Sequence, residues 1–462
     1  MKTQNATIAA IATGMTRSPL GIIRVSGPLT FPIITKIFTF RNLSRSMQNV
    51  PHGSLSLGSI TNGPEKIDEA LLSVFKSPDS YTGEDMAELS CHGNPIILRK
   101  VMEALLQHGA GLAGPGDFTR RAFLNGKMDL TKAEAVSGII SARTEASLKL
   151  SISQLFGAEK IVIETLRDSI ISLLAALEAD VDFENEDDAA DKAGVVLHFK
   201  EIMLSIEKLI KSADKGLLIK DGAKVAIAGK PNAGKSSLLN AITGLNRAIV
   251  TDIPGTTRDT IDESVVIDGL PVILTDTAGI RQAENPIEQE GIRRAKAAVT
   301  ASDAVIFAMD INSPITPEER SLYAEVSALP HVVALNKSDL KDKSFEYDTA
   351  GMTGPDVRVI KVSALQKSNI NDLTKALKDI IISSKGLDGP DEPVISALRH
   401  KTALENALKE MQDGLLSVNY NLSYEIAAEH TKAAASFVSE ITGVIAAEDV
   451  LERIFSNFCI GK

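Results

Sequence analysis

The sequence is poor in several residue types, and each shortage excludes a class of protein. It has no tryptophan, two cysteines and 4% aromatic residues in 462 positions. The two cysteines, Cys91 and Cys459, are too few for a disulfide framework or a cysteine-rich metal cluster. No apolar run approaches the roughly 18 residues that span a bilayer, and residues 1–13 lack the layout of a signal peptide. We therefore expect a cytoplasmic protein that does not associate with a membrane.

Basic residues are also in the minority. The chain has 49 Lys and Arg against 60 Asp and Glu, which leaves a net charge of −11. Proteins that coat nucleic acid need a basic surface, so this balance argues against bulk electrostatic binding of RNA or DNA. Any role on RNA must depend on a local basic patch or on a partner.

A glycine-rich motif of the form G-x-x-x-x-G-K-[ST] lies at Gly229–Ser236. It follows Lys224–Ala228, an apolar run typical of a buried strand, and precedes Ser237–Ile242, the start of a predicted helix. A strand, a loop and a helix in this order predict a phosphate-binding P-loop, where backbone N–H groups and the helix dipole attract phosphate oxygens. Lys235 would reach the β and γ phosphates, and the Ser236 hydroxyl would hold Mg²⁺.

Four further motifs follow in the order that a GTPase needs. Gly255–Asp259 (GTTRD) lies where a mobile switch would put a threonine on Mg²⁺. Asp276–Gly279 (DTAG) ends an apolar strand and would face Mg²⁺ and the γ-phosphate. In Asn336–Asp339 (NKSD), the aspartate can accept both the N1–H and the exocyclic amine of guanine, which adenine cannot offer. Ser363-Ala364 ends the next strand and would support the base. Together the motifs predict a GTPase rather than an ATPase or a kinase.

One position departs from the Ras pattern. In Ras a glutamine follows the glycine of the DTAG-type motif and orients the attacking water. Here that position is Ile280, whose apolar side chain can neither orient nor deprotonate water. Another group must do so, or hydrolysis is very slow.

The remaining chain divides by its periodicity. Residues 1–122 mix strand-like runs with turns and an amphipathic helix, Pro95–Leu106, which predicts an α+β domain. Residues 123–218 and 384–462 have helical periodicity. Residues 219–383 alternate strand and helix, which predicts an α/β domain with a mostly parallel sheet and helices on both faces. The fold class is therefore a multidomain α+β and α/β protein, with the P-loop domain inserted into a helical domain.

Individual strands are predicted from short apolar runs bounded by turn residues. In the first 122 residues they fall at Thr7–Ala12, Gly21–Val25, Glu69–Phe75 and Met86–Ser90. In the α/β segment they fall at Ser264–Ile267, Val272–Asp276, Ala304–Asp310, His331–Asn336 and Arg358–Val362.

Stretches outside the GTPase motifs carry a family resemblance. They are TIAAIAT, GIIRVSG, YTGEDMAELSCHG, PGDFTRRAFLNGKMDLTKAEAV and the terminal FSNFCIGK. With the GTPase motifs, they make the chain similar over essentially its whole length to the MnmE (TrmE) family of tRNA-modification GTPases. The resemblance implies that residues 1–122 form a domain that dimerises and binds a tetrahydrofolate derivative. It also implies that residues 219–383 form a Ras-like GTPase domain inserted into a helical domain ending in the Cys-x-Gly-Lys motif.

The same resemblance implies an activity and its partners. The protein would be a K⁺-stimulated GTP hydrolase that forms a homodimer and binds the FAD-containing protein MnmG (GidA) in a heterotetramer or larger complex. Together they would add an aminomethyl or carboxymethylaminomethyl group to C5 of the wobble uridine of certain tRNAs. The one-carbon donor would be 5-formyltetrahydrofolate or a related tetrahydrofolate. The alternative is a GTP-dependent ribosome-assembly or binding factor.

The resemblance also implies the residues of the GTPase site. The nucleotide-binding positions are Asn232, Ala233, Gly234, Lys235, Ser236, Ser237, Thr251, Asp252, Ile253, Pro254, Gly255, Thr256, Thr257, Asp276, Thr277, Ala278, Gly279, Asn336, Lys337, Ser338, Asp339, Ser363 and Ala364. Mg²⁺ would be held by Ser236 and Thr257. K⁺ would be held by Asn232, Thr251, Ile253 and Thr256. The catalytic carboxylate falls on Glu288, which without the resemblance is a charge at a helix start.

The folate residues implied in the same way are Arg24, Glu84, Lys127 and Lys462. Glu84 can accept from pterin N–H groups, and Arg24 and Lys127 can meet carboxylates. By spacing alone, Arg24, Glu84 and Lys127 are more typical of solvated surface charges. Cys459 is either a functional thiol or a small side chain packed at a helix end.

Overall fold

The computed structural model describes residues 6–182, 192–245, 262–276, 299–340, 357–386, 394–420, 422–444 and 448–462, with the backbone alone at 180–182, 262 and 276. The chain forms two compact units. The first comprises Met1–Ile140, Gln154–Arg167 and Ser436–Lys462, and the second comprises Ser141–Ser153 and Asp168–Ala435. The bounds of the domains expected from the sequence stay predictions.

The described helices occur in both units. They are α1 (Thr30–Ile37), α2 (Pro95–Gln107), α3 (Asp117–Leu124), α4 (Leu130–Ser141), α5 (Glu145–Leu155), α6 (Ala158–Asp182), α7 (Lys192–Asp221), α8 (Lys235–Leu245), α9 (Pro317–Val326), α10 (Ile370–Ser384), α11 (Leu398–Asn419), α12 (Tyr424–Thr442) and α13 (Glu448–Phe455). Within the described part of the chain, no helix is both long enough and apolar enough to cross a membrane.

The first unit is built on a seven-stranded sheet. Its strands are β1 (Ile8–Ile11), β2 (Ser18–Ser26), β3 (Phe38–Phe40), β4 (Leu55–Asn62), β5 (Glu65–Phe75), β6 (Met86–Gly93) and β7 (Gly111–Leu112). Their order is β3-β4-β5-β6-β2-β1-β7, antiparallel except for the β1–β7 pair. Buried and more exposed residues alternate along β4 and β6, as expected where one face of a sheet packs on a core.

Helices α1 and α2 supply the apolar side chains that cover this sheet. Ile34 on α1 and Leu105 on α2 are fully buried with Ile23, Leu72 and Leu89 of the strands. Burying each of these side chains contributes about 1.5–3 kcal/mol. The packed sheet is therefore a rigid support for the side chains of β1 and β2.

The second unit contains a six-stranded sheet. Its strands are β8 (Ala223–Ala228), β9 (Asp262–Ile267), β10 (Leu270–Asp276), β11 (Ala304–Asp310), β12 (His331–Asn336) and β13 (Arg358–Lys361). The order is β13-β12-β11-β8-β10-β9, parallel except for the β9–β10 hairpin. Leu238 of α8 and Leu377 of α10 belong to one buried cluster on this sheet, and Tyr323 of α9 belongs to another. This α/β architecture, a mostly parallel sheet with helices packed against it, agrees with the prediction from the sequence.

The predicted strands are largely confirmed, but β3, β4 and the two-residue β7 are not among them. The sequence of β4, LSLGSITN, is rich in serine and carries Gly58, so it reads as a turn region. The glycine is needed by packing: a Cβ there would lie 2.4 Å from the Phe38 ring and 2.4 Å from the Thr39 carbonyl oxygen of the paired strand. A neighbour that is distant in sequence therefore decides that this segment is a strand.

Helix α7 contacts the segment before α11 very closely at Gly216. A Cβ at this position would lie 1.8 Å from the Ile395 carbonyl oxygen. Since the obstacle is backbone, it cannot move aside as a flexible side chain would.

We expect Gly216→Ala to lower the midpoint of thermal unfolding by several degrees. Overpacking costs about 1–3 kcal/mol, whereas alanine gains only about 0.5–1 kcal/mol over glycine within a helix. Calorimetry or circular dichroism would measure the change. Gly244→Ala in α8 is the matched control, because its nearest atom, the Lys367 Nζ, is 3.6 Å away. An unchanged midpoint in Gly216→Ala would contradict the close approach.

Candidate functional site

The P-loop connects β8 to α8. Gly229 and Gly234 have φ angles of +148° and +89°, which glycine adopts without strain. A Cβ on Gly229 would lie 2.2 Å from the Ala308 carbonyl oxygen, and one on Gly234 would lie 2.2 Å from the Asn336 Nδ2. The two glycines therefore let the loop lie directly against β11 and the end of β12.

Lys235 is held inside this loop. Its side chain is buried, and its Nζ donates to the carbonyl oxygens of Gly229 and Lys230, both at 2.9 Å. Asn232, with a φ of +64°, and Ser236 are exposed. Ser236 belongs to the first turn of α8, where the helix dipole favours anions. The loop thus presents an ammonium group and a hydroxyl at the positions expected for a phosphate site.

Asn336 joins the P-loop to the guanine-recognition motif. Its Nδ2 donates to the Ala233 carbonyl oxygen at 3.0 Å, and its Oδ1 accepts from the Ala364 N–H at 3.1 Å. The residue is buried, so these two bonds satisfy polar atoms that have little access to water. The structure therefore brings together the P-loop, the NKSD motif and Ser363-Ala364, each of which follows a parallel strand at the same edge of the sheet.

The other members of the NKSD motif also have partners. The Ser363 hydroxyl donates to the Asp339 Oδ1 at 2.5 Å, which orients the carboxylate expected to read guanine. The Lys337 Nζ lies 2.7 Å from the Asp310 Oδ2 at the end of β11. Burial raises the pKa of Asp310, but the hydrogen bonds from Lys337 and from the Asn312 backbone N–H outweigh it and hold the pKa below its ordinary value. This contact stabilises the fold at neutral pH, and the contribution is lost as the pH falls through the lowered value.

Part of the predicted site lies outside the described residues. This applies to Thr251, Asp252, Ile253, Pro254, Gly255, Thr256, Thr257, Thr277, Ala278, Gly279, Ile280 and Glu288. The backbone of Asp276 is described, and it pairs with Ile227 of β8 at the edge where the P-loop begins.

A second cluster of charges lies in the first unit, around Arg24 on β2. Its guanidinium pairs with Glu88 on β6 at 2.8 Å and donates to the Gly461 carbonyl oxygen at 3.0 Å. The same group lies 5.5 Å from the Tyr81 ring centroid and 5.6 Å from that of Phe118. Arg24 is therefore fixed by charge, backbone and aromatic contacts together.

Glu84 and Lys127 have partners of their own in the same unit. The Glu84 Oε2 accepts from the Ser26 hydroxyl at 2.8 Å and pairs with Arg121 at 2.7 Å. Ser26 is two residues after Arg24 on β2, so both project from the same face. The Lys127 Nζ donates to the Pro78 carbonyl oxygen at 2.9 Å.

The last residues of the chain pack against the same region. The backbone N–H of Phe118 donates to the Lys462 carbonyl oxygen at 3.2 Å. Burial lowers the pKa of the Lys462 ammonium, and the nearby Arg24 charge lowers it further against the opposing effect of Glu88.

Cys459 is exposed, so burial in a core does not explain it, and its functional role stays a prediction. A largely apolar cavity of about 430 Å³ lies beside this segment, lined in part by Ala9, Met102, Leu112 and Ile460.

Sequence reasoning missed the partners that hold these charges. Arg121 lies in PGDFTRRAFLNG and Glu88 in YTGEDMAELSCHG, two stretches that carry the family resemblance, but neither residue was predicted to belong to the site. Asp310 could have been predicted as a site residue. It is the last residue of a predicted strand, and ligands bind at the carboxyl ends of the strands in such sheets. The pairing of Arg24 with Glu88 depends on the register of β2 and β6, which composition does not reveal.

Comparison with known proteins assigns the family. The family model described as the TrmE N-terminus of GTP-binding proteins matches residues 7–127, and the MnmE helical domain model matches residues 130–459. The chain belongs to the MnmE family of tRNA modification GTPases. It is therefore a GTP hydrolase in tRNA modification.

Full-length relatives agree with this assignment. The tRNA modification GTPase MnmE of Thermotoga petrophila is 39% identical over 99% of this chain and 100% of its own length. The MnmE protein of Aquifex aeolicus is 39% identical over 98% of this chain and 99% of its own length. Among solved structures, a variant of Aquifex aeolicus Era bound to GDP and AlF₄⁻ is 25% identical over 41% of this chain and 67% of that chain, with a TM-score of 0.28.

We expect Asn336→Asp to weaken GTP binding by at least about tenfold. Aspartate cannot donate to the Ala233 carbonyl, and a buried polar group left without its partner costs about 1–3 kcal/mol, or more when charged. Titration with a fluorescent GTP analogue would measure the dissociation constant. Asn371→Asp is the control, since it makes the same charge change at an exposed position of α10. Equal affinities would show that the Asn336 bridge does not hold the site together.

Proposed function

We propose that this chain is a K⁺-stimulated GTP hydrolase that acts with the flavoprotein MnmG (GidA) on certain tRNAs in the cytoplasm. The two proteins would add an aminomethyl or carboxymethylaminomethyl group to C5 of the wobble uridine. The observation that carries the GTPase part is the Asn336 bridge, which joins a phosphate-binding loop to a guanine-binding motif in one continuous site. The family supports a tRNA as the modified molecule.

Each group of the site has a distinct task in this proposal. Lys235, fixed by two loop carbonyls, would contact the β and γ phosphates. Asp339, oriented by Ser363, would accept two hydrogen bonds from guanine and so exclude adenine. Both side chains are held before the nucleotide arrives, which lowers the ordering cost of binding.

The metal ions would occupy the phosphate end of the site. The exposed Ser236 hydroxyl fits a Mg²⁺ ligand, with Thr257 as the second protein ligand. Asn232, exposed in the P-loop, fits a K⁺ ligand together with Thr251, Ile253 and Thr256. The ions would neutralise the negative charge that develops between the β and γ phosphates. Glu288 would position the water that Ile280 cannot orient.

The first unit fits the proposal of a tetrahydrofolate site. Arg24 and Lys462 lie near Glu88, Glu84 pairs with Arg121, and Lys127 lies beside Gly83. A folate offers carboxylates and pterin N–H groups that match them, and the apolar cavity beside Ile460 would accept a flat ring. The folate would supply the one-carbon unit. Because Arg24 and Glu84 already have protein partners, a bound folate must share or replace those contacts.

The protein would assemble from three domains. Residues 1–122 would form the dimerisation and folate-binding domain, 123–218 and 384–462 the helical domain, and 219–383 the GTPase domain. The family membership supports a homodimer that joins MnmG, with FAD carried by the partner. With a net charge of −11, tRNA binding would depend on that partner or on a local patch.

We expect GTP turnover to fall at least about tenfold when Na⁺ replaces K⁺ at equal ionic strength, with little change in GTP affinity. A cation that replaces an arginine finger acts mainly on the transition state, where such a charge contributes about 10³–10⁵ in rate. Phosphate release would be measured for the wild type and for Glu288→Ala. The variant should bind GTP but hydrolyse it very slowly in both buffers. Equal rates in the two buffers would exclude the K⁺-dependent mechanism, and normal turnover in the variant would exclude Glu288.

We expect calorimetry to detect binding of 5-formyltetrahydrofolate to the full chain and to show at least about tenfold weaker binding by Arg24→Met. Hydrogen bonds to charged groups contribute about 1.5–3 kcal/mol each. Arg41→Met is the control, because Arg41 is an exposed arginine of the same unit. Binding that is absent in the wild type, or equal in Arg24→Met, would remove the folate site from the proposal.

A further inference from the structure

Glu319, in the first turn of α9, is a buried carboxylate. Its side chain is 1% exposed, and its Oε2 lies 3.2 Å from the Lys230 Nζ of the P-loop. Its Oε1 is buried and has no hydrogen-bond partner among the residues that the structure describes. An ionised carboxylate is costly to bury unless it is paired. Within the part of the chain that the structure describes, Lys230 is therefore the group that compensates the Glu319 charge.

Helix capping does not explain the burial. Glu319 forms a capping box with Thr316, in which the Glu319 backbone N–H donates to the Thr316 hydroxyl at 3.2 Å. The contact from the Thr316 backbone N–H to the Glu319 Oε2 is longer, at 3.5 Å. A capping box works equally well at an exposed position, and the exposed Glu318 already supplies a negative charge to the helix start. The contact with Lys230 is therefore additional to capping.

The helix that carries Glu319 is firmly attached to the sheet. Tyr323, one turn further along α9, is buried and lies 5.3 Å from the Phe307 ring centroid of β11 in an edge-to-face arrangement. Its hydroxyl lies 3.1 Å from the His331 Nε2 of β12, and Val326 is fully buried in the same cluster. Because α9 is anchored in this way, Glu319 is presented from a rigid support.

Lys230 contacts both Glu319 and Lys235. Its ammonium group meets Glu319, while its backbone carbonyl accepts from the Lys235 Nζ at 2.9 Å. A backbone movement that carries Lys230 away from Glu319 would separate this pair and would also displace the carbonyl that holds Lys235. The ion pair therefore adds a contact from α9 to the contacts that already hold the P-loop.

We propose that Glu319 is a positioning residue for GTP hydrolysis, which acts through Lys230 to hold the P-loop and Lys235 in the arrangement that meets the phosphates. The proposal rests on the nucleotide site proposed above. In this proposal Glu319 acts through Lys230 and not by contact with the nucleotide. Its pair with Lys230 also neutralises a second positive charge in the loop, so that Lys235 remains the ammonium group directed at the phosphates.

The test compares Glu319→Gln, Lys230→Met, the double variant and Lys230→Arg in the full chain. Glutamine keeps the capping contact and the shape but removes the charge, and methionine keeps much of the lysine stem. We expect Glu319→Gln and Lys230→Met each to lower kcat/KM for GTP about tenfold. A misplacement of about an ångström can cost roughly 100-fold, and a smaller shift costs less. The double variant should be no worse than the worse single one, because both remove the same interaction. Lys230→Arg keeps the positive charge that Lys230→Met removes, so its kcat/KM should lie within about threefold of the wild-type value.

Glu318→Gln is the matched control, since it removes a neighbouring but exposed charge from the same helix turn. Thermal unfolding of every variant separates misfolding from misplacement. If Glu319→Gln does not fold, Lys230→Met, altered at the partly exposed side of the pair, carries the test. Wild-type kinetics in either Glu319→Gln or Lys230→Met, additive losses in the double variant, or no rescue by arginine would overturn the proposal.

The underlying nucleotide site is tested separately by Lys235→Ala. Loss of GTP binding in Lys235→Ala with normal kinetics in Glu319→Gln would overturn the positioning role and leave the site intact. Normal GTP binding in Lys235→Ala would instead overturn the proposed site itself, and with it the role of Glu319.

Discussion

The nucleotide site depends on one buried amide, the side chain of Asn336. It donates to the Ala233 carbonyl and accepts from the Ala364 N–H, so a single planar group links three loops that leave three different strands. Because both partners are backbone atoms, the link does not depend on the side chains of the loops. It sets the distance between the phosphate end and the base end of the site, which a nucleotide must span.

Two ion pairs extend this arrangement along one segment of chain. At the end of β11, Asp310 pairs with Lys337 of the guanine-binding motif. A few residues later, Glu319 pairs with Lys230 of the P-loop. The segment between them therefore contacts both halves of the site through charges that are partly or fully withdrawn from water. Such pairs are costly to break from one side, which favours one arrangement of the loops before the nucleotide binds.

The first unit follows the same principle with different elements. Arg24 is paired with Glu88 across neighbouring strands, and Glu84 is paired with Arg121. The segment Cys459–Lys462 packs beside them through backbone hydrogen bonds. The charged residues proposed to bind folate are therefore ordered by protein partners before a ligand arrives. A ligand that binds there would not have to immobilise these side chains.

Sequence alone identified the motifs and much of the sheet around the nucleotide. The strands Ala304–Asp310 and His331–Asn336 were predictable because parallel strands buried on both faces are continuous apolar runs. The P-loop, NKSD and Ser363-Ala364 each follow a predicted strand, and the carboxyl ends of parallel strands share an edge. These features depend on neighbours in the chain and on general rules of α/β folds.

Only the tertiary structure decided which groups hold the site in place. Arg24 and Glu88 are 64 residues apart, Lys230 and Glu319 are 89 apart, and Ala233 and Asn336 are 103 apart. In the sequence Glu319 is one of two adjacent glutamates, and the Thr316-x-x-Glu319 capping pattern marks its place in the helix but neither its burial nor its contact with Lys230. Burial and strand register are set by the packing of distant segments, and they convert an ordinary surface charge into a fixed contact of the P-loop.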